Sequence, residues 1–299
     1  MSGAGGAGEP LESAGELAAG AAEEHRRRSA AAWQEAATGW TRRQGQIRDF
    51  GAPVSEWMVG AIHARPGQRV LELAAGLGET GFMAAELVAP TGGVVTSDQA
   101  DAMLEGARER SIELGLTNVE FQVVNAEWID LPVASVDAVL CRWGYMLMAD
   151  PATALSETRR VLRPGGRLAL AVWDALERNP WALHPALELR ERGLVAGPDG
   201  GPGPFAMGDA ARVRALLERA GFAEVSVEVV EVERRHEGFG DFWETTLDLS
   251  RVTHDAVMGR SEEEVAEIAA AVARRLEPYT ATDGTLRIPG RSLVAAASA

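Results

Sequence analysis

Two features of the sequence have residue types and spacing suited to chemistry. The first is the run Val70-Leu71-Glu72-Leu73-Ala74-Ala75-Gly76-Leu77-Gly78-Glu79-Thr80-Gly81, where a short apolar stretch enters a glycine-rich turn and then a helix-compatible segment. Small residues in such a turn let a ligand approach the backbone, and a helix start offers N–H groups with no partner inside the helix. The second is Asp98, about twenty residues past the glycines, where an acid can accept hydrogen bonds from both hydroxyls of a ribose. Charge-assisted bonds of that kind contribute roughly 1.5–3 kcal/mol each. Together they point to an adenosine-bearing ligand without choosing which one. The plainer alternative is a ligand-free βα turn and a surface acid capping the next helix.

These residues need a framework, and the chain around them alternates strand-like and helix-like segments. Apolar runs at Arg69–Leu73, Val94–Ser97, Val119–Val124, Val136–Cys141 and Arg167–Trp173 suit buried parallel strands. Between them lie helical segments at 79–88 and 102–114, and one opened by Asp150-Pro151 and stopped by Pro164-Gly165-Gly166. A sixth strand is expected over Val225–Val232 and a seventh over Thr285–Ala297. Between these two, residues 239–276 read as helical, with Ser261 and Glu264 matching a capping box and Val265, Ile268, Val272 and Leu276 forming one stripe. The expected fold class is α/β, a doubly wound, mostly parallel seven-stranded sheet with N-terminal helices and a helical insert at about 239–281 before the last strand. Two N-terminal helices are expected, Ser29–Asp49 with Trp33, Trp40 and Ile47 at helical spacing, and one opened by Pro53 and reaching His63. Residues 174–208 hold many Pro and Gly and no firm strand. The expected division is a disordered tail over 1–24, a helical cap over 25–64 and the α/β domain over 65–299.

The formal charge of -15, with 29 basic residues that are all arginine, disfavours a nucleic-acid backbone as partner. The cluster Arg26-Arg27-Arg28 reads as a solvated helix face. No apolar stretch is long enough for a membrane helix, and Met1–Glu24 lacks the basic-then-apolar pattern of a secretory leader. Cys141, alone, forms no internal disulfide. The expectations are a cytoplasmic protein, monomer or homodimer, from a GC-rich bacterial genome.

At this point the sequence resembles the class I S-adenosylmethionine-dependent methyltransferases, in particular their ubiquinone/menaquinone-biosynthesis-like branch, over roughly residues 60 to 235. The motifs that match are Val70–Gly81, Val94–Gln99, Asn125-Ala126-Glu127 with Leu131-Pro132 and Ser135–Val139, and Arg160–Leu168. The resemblance implies S-adenosyl-L-methionine as cofactor. It implies that the backbone from Ala74 through Ala75 and Gly76 to Gly78 meets the methionine part, with Glu72 beneath. It places Asp98 on the ribose, Gln99 along the adenine, Ala126 and the Glu127 carboxylate at the adenine edge, and Arg142 near the methionine end. Ala74 and Asn125 stand where many members have Gly and Asp, so Ala74 is expected at negative φ and the amide keeps hydrogen bonding without charge.

The implied reaction is in-line attack of an O, N or C nucleophile of a small molecule on an activated methyl group. A base is optional there, which is why no catalytic signature need be visible. Weak candidates for one are His236, His254 and Tyr145. Trp143, Tyr145 and Met146, then Trp181, His184, Phe205 and Met207, then Phe239 and Trp243 are substrate-side candidates for an aromatic-lined pocket, weighed against plain core positions. The N-terminal helices and the insert are expected to cover the site as a lid. No metal site is suggested. Two rivals remain: a nicotinamide-dependent oxidoreductase, disfavoured by Ala74 in the glycine register and by the absence of lysine, and a non-catalytic cofactor-binding module.

Overall fold

A computed structural model describes residues 14–197 and 200–299, with side chains from residue 20 onward. The first thirteen residues of the expected tail lie outside the described residues. The rest of that segment is helical: α1 spans Ala14–Arg42 and α2 spans Gln44–Ala61. The sequence reading placed the break between the two helices near Pro53. The break is instead at Arg43 (φ -98, ψ 12), and Pro53 sits inside α2. One buried stripe of Ile47, Gly51, Val54, Met58 and Val59 runs past the proline, and this packing outweighs the local preference. Arg43 is fixed at the junction by Asp248 Oδ2 at 2.7 Å and Asp241 Oδ1 at 3.1 Å.

The α/β part follows the alternation. β1 (Arg69–Glu72), α3 (Glu79–Val88), β2 (Gly93–Asp98), α4 (Asp101–Glu113), β3 (Val119–Val123), β4 (Val136–Arg142), α5 (Pro151–Val161) and β5 (Leu162–Trp173) come first. They are followed by α6 (Pro180–Glu191), α7 (Ala210–Arg219) and β6 (Ala223–His236). α8 (Phe239–Leu249), α9 (Arg251–Val257) and α10 (Glu262–Leu276) precede β7 (Leu286–Ser298). The seven strands lie in the order β3-β2-β1-β4-β5-β7-β6. β1 to β5 are parallel, with Glu72 opposite Thr96 on one side and Leu140 on the other. β7 is antiparallel to both β5 and β6. Strand order reverses at β1, so the crevice outside the carboxyl ends of β1, β2 and β4 is where a doubly wound sheet takes a ligand.

Local chemistry explains the element ends. Asp150 caps α5 by accepting from the N–H groups of Ala152 and Thr153. Ser261 and Glu264 form the expected capping box of α10. Ile268, Val272 and Leu276 then bury one face of α10 against Phe242, Trp243 and Leu286. The described residues of the segment 174–208 form no strand but do include α6, opened by Pro180 at its first position. No helix among the described residues is long and apolar enough to cross a membrane.

Candidate functional site

The strand-to-helix turn after β1 is held by backbone contacts that leave side chains free. Ala75 N–H donates to Ser97 O and Leu73 N–H to Leu140 O, which ties the turn to β2 and β4. Gly76 and Gly78 have φ of +54 and +81, conformations that glycine adopts without strain. Ala74 also has positive φ, at 49. This corrects the expectation of a negative φ. Gly144 packs directly against Ala74: a Cβ there would lie 2.6 Å from the Ala74 Cβ, so the glycine makes room for the alanine methyl. The left-handed conformation costs alanine roughly 1–2 kcal/mol. Trp143, next to that glycine, is left-handed as well (φ 60), and strain of this kind clusters where a ligand is handled.

The cleft at this turn has an interior of about 100 Å³. Asp98 stands on its wall, only 7% exposed. Gly76 N–H donates to its Oδ2 at 2.9 Å and Ala100 N–H to its Oδ1 at 3.0 Å. Burial pushes its carboxyl above the usual range, and these N–H groups act against that rise. Each oxygen keeps a further lone pair. Ala74, Ala75, Gly76, Gln99, Asn125, Ala126, Glu127, Arg142 and Trp143 line the same cleft. Glu72 and Gly78 do not. Glu72 lies beneath, accepting from Gly81 N–H at 2.8 Å, with its other oxygen buried and unpartnered. Burial pushes it up to about 7, opposed by that N–H and by the charge on Arg142. Gly78 instead caps α3.

Arg142 is the buried cation of this cleft. Its guanidinium stacks over Trp143 at 4.7 Å, and its Nη1 is buried with no hydrogen bond. A Cβ at Gly51 of α2 would collide with that nitrogen, so the glycine makes space for the cation. Trp40, which also lines the cleft, has its Nε1 buried and unpartnered. Two orphaned donors and a half-satisfied carboxylate suit a ligand with both acceptor and hydroxyl groups, the donor–acceptor pattern of an adenosyl amino acid.

The roof comes from α1. His25, Arg26, Ser29, Trp33 and Trp40 face the cleft, at the 3–4–7 spacing of one helix face. Arg26 Nε and Nη2 donate to Glu127 Oε2 at 2.9 and 2.8 Å, while Ala149 N–H donates to Glu127 Oε1 at 2.9 Å. The carboxylate expected at the adenine edge is thus already engaged from two sides. His25 Nε2 lies 2.9 Å from Leu147 O, and Gln99 Nε2 donates to Ser29 Oγ at 3.0 Å. The sequence reading took Arg26 for a solvated residue. The signal it passed over is that Arg26, Ser29, Trp33 and Trp40 share one face, mixing a cation with two indoles.

An aromatic stack forms the far wall. Trp143 stacks on Trp173 at 4.2 Å and on Phe50 at 5.6 Å, Trp181 meets Trp173 edge-on at 4.9 Å, and Phe205 lies 6.1 Å from Trp181. Beyond Phe50 opens a second cavity of about 350 Å³, lined by Gln46, Asp49, Phe50 and Pro53 of α2, Glu233 to His236 of β6, and Thr245 of α8. His236 Nδ1 lies 3.1 Å from Asp241 Oδ2, and its Nε2 is buried and unpartnered. Burial pushes its pKa down, against the raising effect of Asp241.

The remaining candidates fall elsewhere. Tyr145 is fully buried, its hydroxyl 2.6 Å from Thr158 Oγ1, and burial holds the phenol well above its ordinary pKa. That makes it a core residue rather than a base. Met146 and Met207 are core residues too. Phe239 and Trp243 pack in the insert's own apolar cluster. His184 faces Tyr279, with burial lowering its pKa, and His254 pairs with Asp255 on the surface of α9. None of these seven lines either cavity. No group of three or more His, Cys, Asp or Glu among the described residues is placed to hold a metal ion.

Comparison with known proteins agrees with this geometry. Residues 64–196 match the family described as a methyltransferase domain. The ubiquinone/menaquinone biosynthesis C-methyltransferase UbiE of Ectopseudomonas mendocina is 40% identical over 105 residues, covering 35% of this chain and 41% of that protein. The arsenite methyltransferase of Halobacterium salinarum is 33% identical over 187 residues, covering 62% of this chain and 44% of that one. The matched region therefore spans about two fifths of the length of these curated relatives. Among solved structures, the YcgJ protein of Bacillus subtilis superposes with a TM-score of 0.54 at 18% identity, over 82% of this chain and 97% of that one, a likeness of fold.

Proposed function

We propose that this chain, of which residues 64–196 match a methyltransferase domain, is a class I S-adenosylmethionine-dependent methyltransferase that moves a methyl group to an oxygen, nitrogen or carbon nucleophile of a small molecule by in-line displacement. The observation that carries this reading is the cleft at the carboxyl edge of β1, β2 and β4. There Asp98, Arg142 and Trp40 line one space, and Arg142 Nη1 and Trp40 Nε1 are buried without hydrogen-bond partners.

S-adenosyl-L-methionine supplies, when bound, a methyl group already activated on a sulfonium. The chain's own residues bind, orient and exclude water. Asp98 would accept from the ribose hydroxyls, Gln99 and Ala126 would flank the adenine, and Arg142 and Trp40 would donate toward the amino-acid end. α1, fastened by Arg26 to Glu127 and by His25 to Leu147, would close the roof and exclude water. Holding two reactants close and aligned contributes up to about 7–11 kcal/mol in model reactions, so no further catalytic group is required. Where the acceptor must lose a proton, His236 is the base we favour. Its buried imidazole stays neutral near pH 7 and has a free Nε2, and Asp241 at Nδ1 would stabilise the cation formed.

Isothermal titration of the full chain with S-adenosylmethionine, S-adenosylhomocysteine and NADH tests the cofactor. Micromolar binding of the two adenosyl compounds without NADH is expected, and binding of NADH alone would overturn the reading. Appearance of S-adenosylhomocysteine with a panel of small acceptors then separates an enzyme from a cofactor-binding module.

A further inference from the structure

The second cavity contains a cation without a counter-charge. Arg234, near the end of β6, is 9% exposed. Among the described residues no carboxylate pairs with its guanidinium and no oxygen accepts from it, and its Nε is buried without a partner. The neighbouring arginines behave differently: Arg235 pairs with Glu233, and Arg291, on the adjacent strand, lies near Asp174 and Glu231. Carboxylates are thus close at hand, and Arg234 is turned away from them.

What surrounds Arg234 is aromatic. Its guanidinium carbon lies 3.5 Å from the ring centre of Trp181, 4.3 Å from that of Phe50 and 5.8 Å from that of Trp173. Ring faces stabilise a cation, but they leave most of the five N–H donors of a guanidinium unmatched. Burial, with no neighbouring charge to offset it, pushes the group down to about 9. A buried ion is costly unless paired, and an unsatisfied buried donor in a native fold asks for an explanation.

The cavity offers one. Arg234 and His236 point to the same side of β6, two residues apart. The acids at the rim are engaged, Asp49 by Arg48 and Glu233 by Arg235, so the local field inside is that of the unpaired guanidinium. A planar fork of donors between flat rings matches a planar molecule ending in an anionic group.

We propose that this cavity receives the methyl acceptor, and that the acceptor is a flat small molecule bearing a carboxylate or phosphate held in a fork by Arg234, with its ring against Phe50. The word acceptor rests on the methyl-transfer reading; the anion site does not.

The test is titration of the full chain with 3-hydroxybenzoate, phenyl phosphate and the neutral 3-hydroxybenzamide, read by quenching of tryptophan fluorescence, since Trp173 and Trp181 adjoin Arg234. Saturable binding of at least one anion, tenfold or more tighter than the amide, is expected, and the tighter anion tells carboxylate from phosphate. R234Q should lose that tenfold advantage while leaving amide and S-adenosylhomocysteine binding unchanged. R234K, which keeps the charge without the fork, should retain a smaller preference and serves if R234Q does not fold. Equal binding of acid and amide, no binding of either anion, or an unchanged preference in R234Q would overturn the anion site. An anion preference in a chain that does not bind S-adenosylhomocysteine would instead remove the methyl-transfer reading and leave the anion site standing.

Discussion

The two cavities are built by opposite means. Around the first, polar side chains are held by backbone N–H groups of nearby turns: Asp98 by Gly76 and Ala100, Glu72 by Gly81, Glu127 by Ala149. Around the second, Phe50, Trp143, Trp173, Trp181, Phe205 and Arg234 meet from separate segments of the chain, and rings rather than backbone fix their positions. Phe50, which lines the second, stacks on Trp143, which lines the first. A site held by backbone N–H groups resists change, because substitution of the donor residue leaves its N–H in place. A site positioned by packing can be reshaped by any one of its distant contributors. The contrast suits a fixed cofactor on one side and a chain-specific acceptor on the other.

Substitutions that strike one half and spare the other measure how separate the halves are. The largest effect is expected from Trp173→Ala. It removes the central ring of the stack, 5% exposed, at a cost of about 3–5 kcal/mol for a buried large-to-small change. Chemical denaturation should register the loss, while the folded variant binds S-adenosylhomocysteine as before. A parallel loss of cofactor affinity would join the two halves into one unit.

Glu72 comes next, through pH. The folded chain keeps its proton up to about 7, against an ordinary value of 4.5. The folded state therefore binds more protons than the unfolded state between those values. The contribution is fully present below 4.5 and is lost as pH rises through about 7, a change of about 3 kcal/mol. Glu72→Gln should flatten the stability profile across that window; a variant with the wild-type slope would mean that the titrating group lies elsewhere. Asp98→Ala should weaken cofactor binding about tenfold or more, the loss of roughly one charge-assisted pair, with acid-over-amide preference in the second cavity intact. The smallest effect is expected from Arg26→Ala. Unfastening α1 from Glu127 should speed cofactor release about fivefold, near 1 kcal/mol, in a stopped-flow trace. Unchanged release would make the roof a fixed wall.

The same contrast decides what the sequence disclosed. The turn at 74–81, the acid at 98 and the strand–helix alternation are local, so residue types at short spacing were enough. Helix caps at Asp150 and Ser261 were legible for the same reason. The extent of α1 was not, because Ala, Gly and Glu near residue 20 carry no apolar stripe, and the helix face toward the cleft is half polar. The left-handed Ala74 escaped because the residue that makes room for its methyl, Gly144, is seventy residues away. Arg234 escaped because one of two adjacent arginines in a β-rich run, Val229 to His236, looks like an outward charge. Only the rings brought to it by three other segments reveal it as buried.

The sheet order also bears on how the chain is made. β7 lies between β5 and β6 yet follows both in the sequence, so the hydrogen-bonding edge of β5 at Arg167–Trp173 has no partner until residues 292–298 emerge. More than a hundred residues separate those segments, roughly ten seconds of synthesis. During that interval the nascent protein presents an apolar strand edge, Leu168-Ala-Leu-Ala-Val172, of the kind that pairs with other chains. Folding of this molecule is a race between its own C-terminal strand and its neighbours on the polysome.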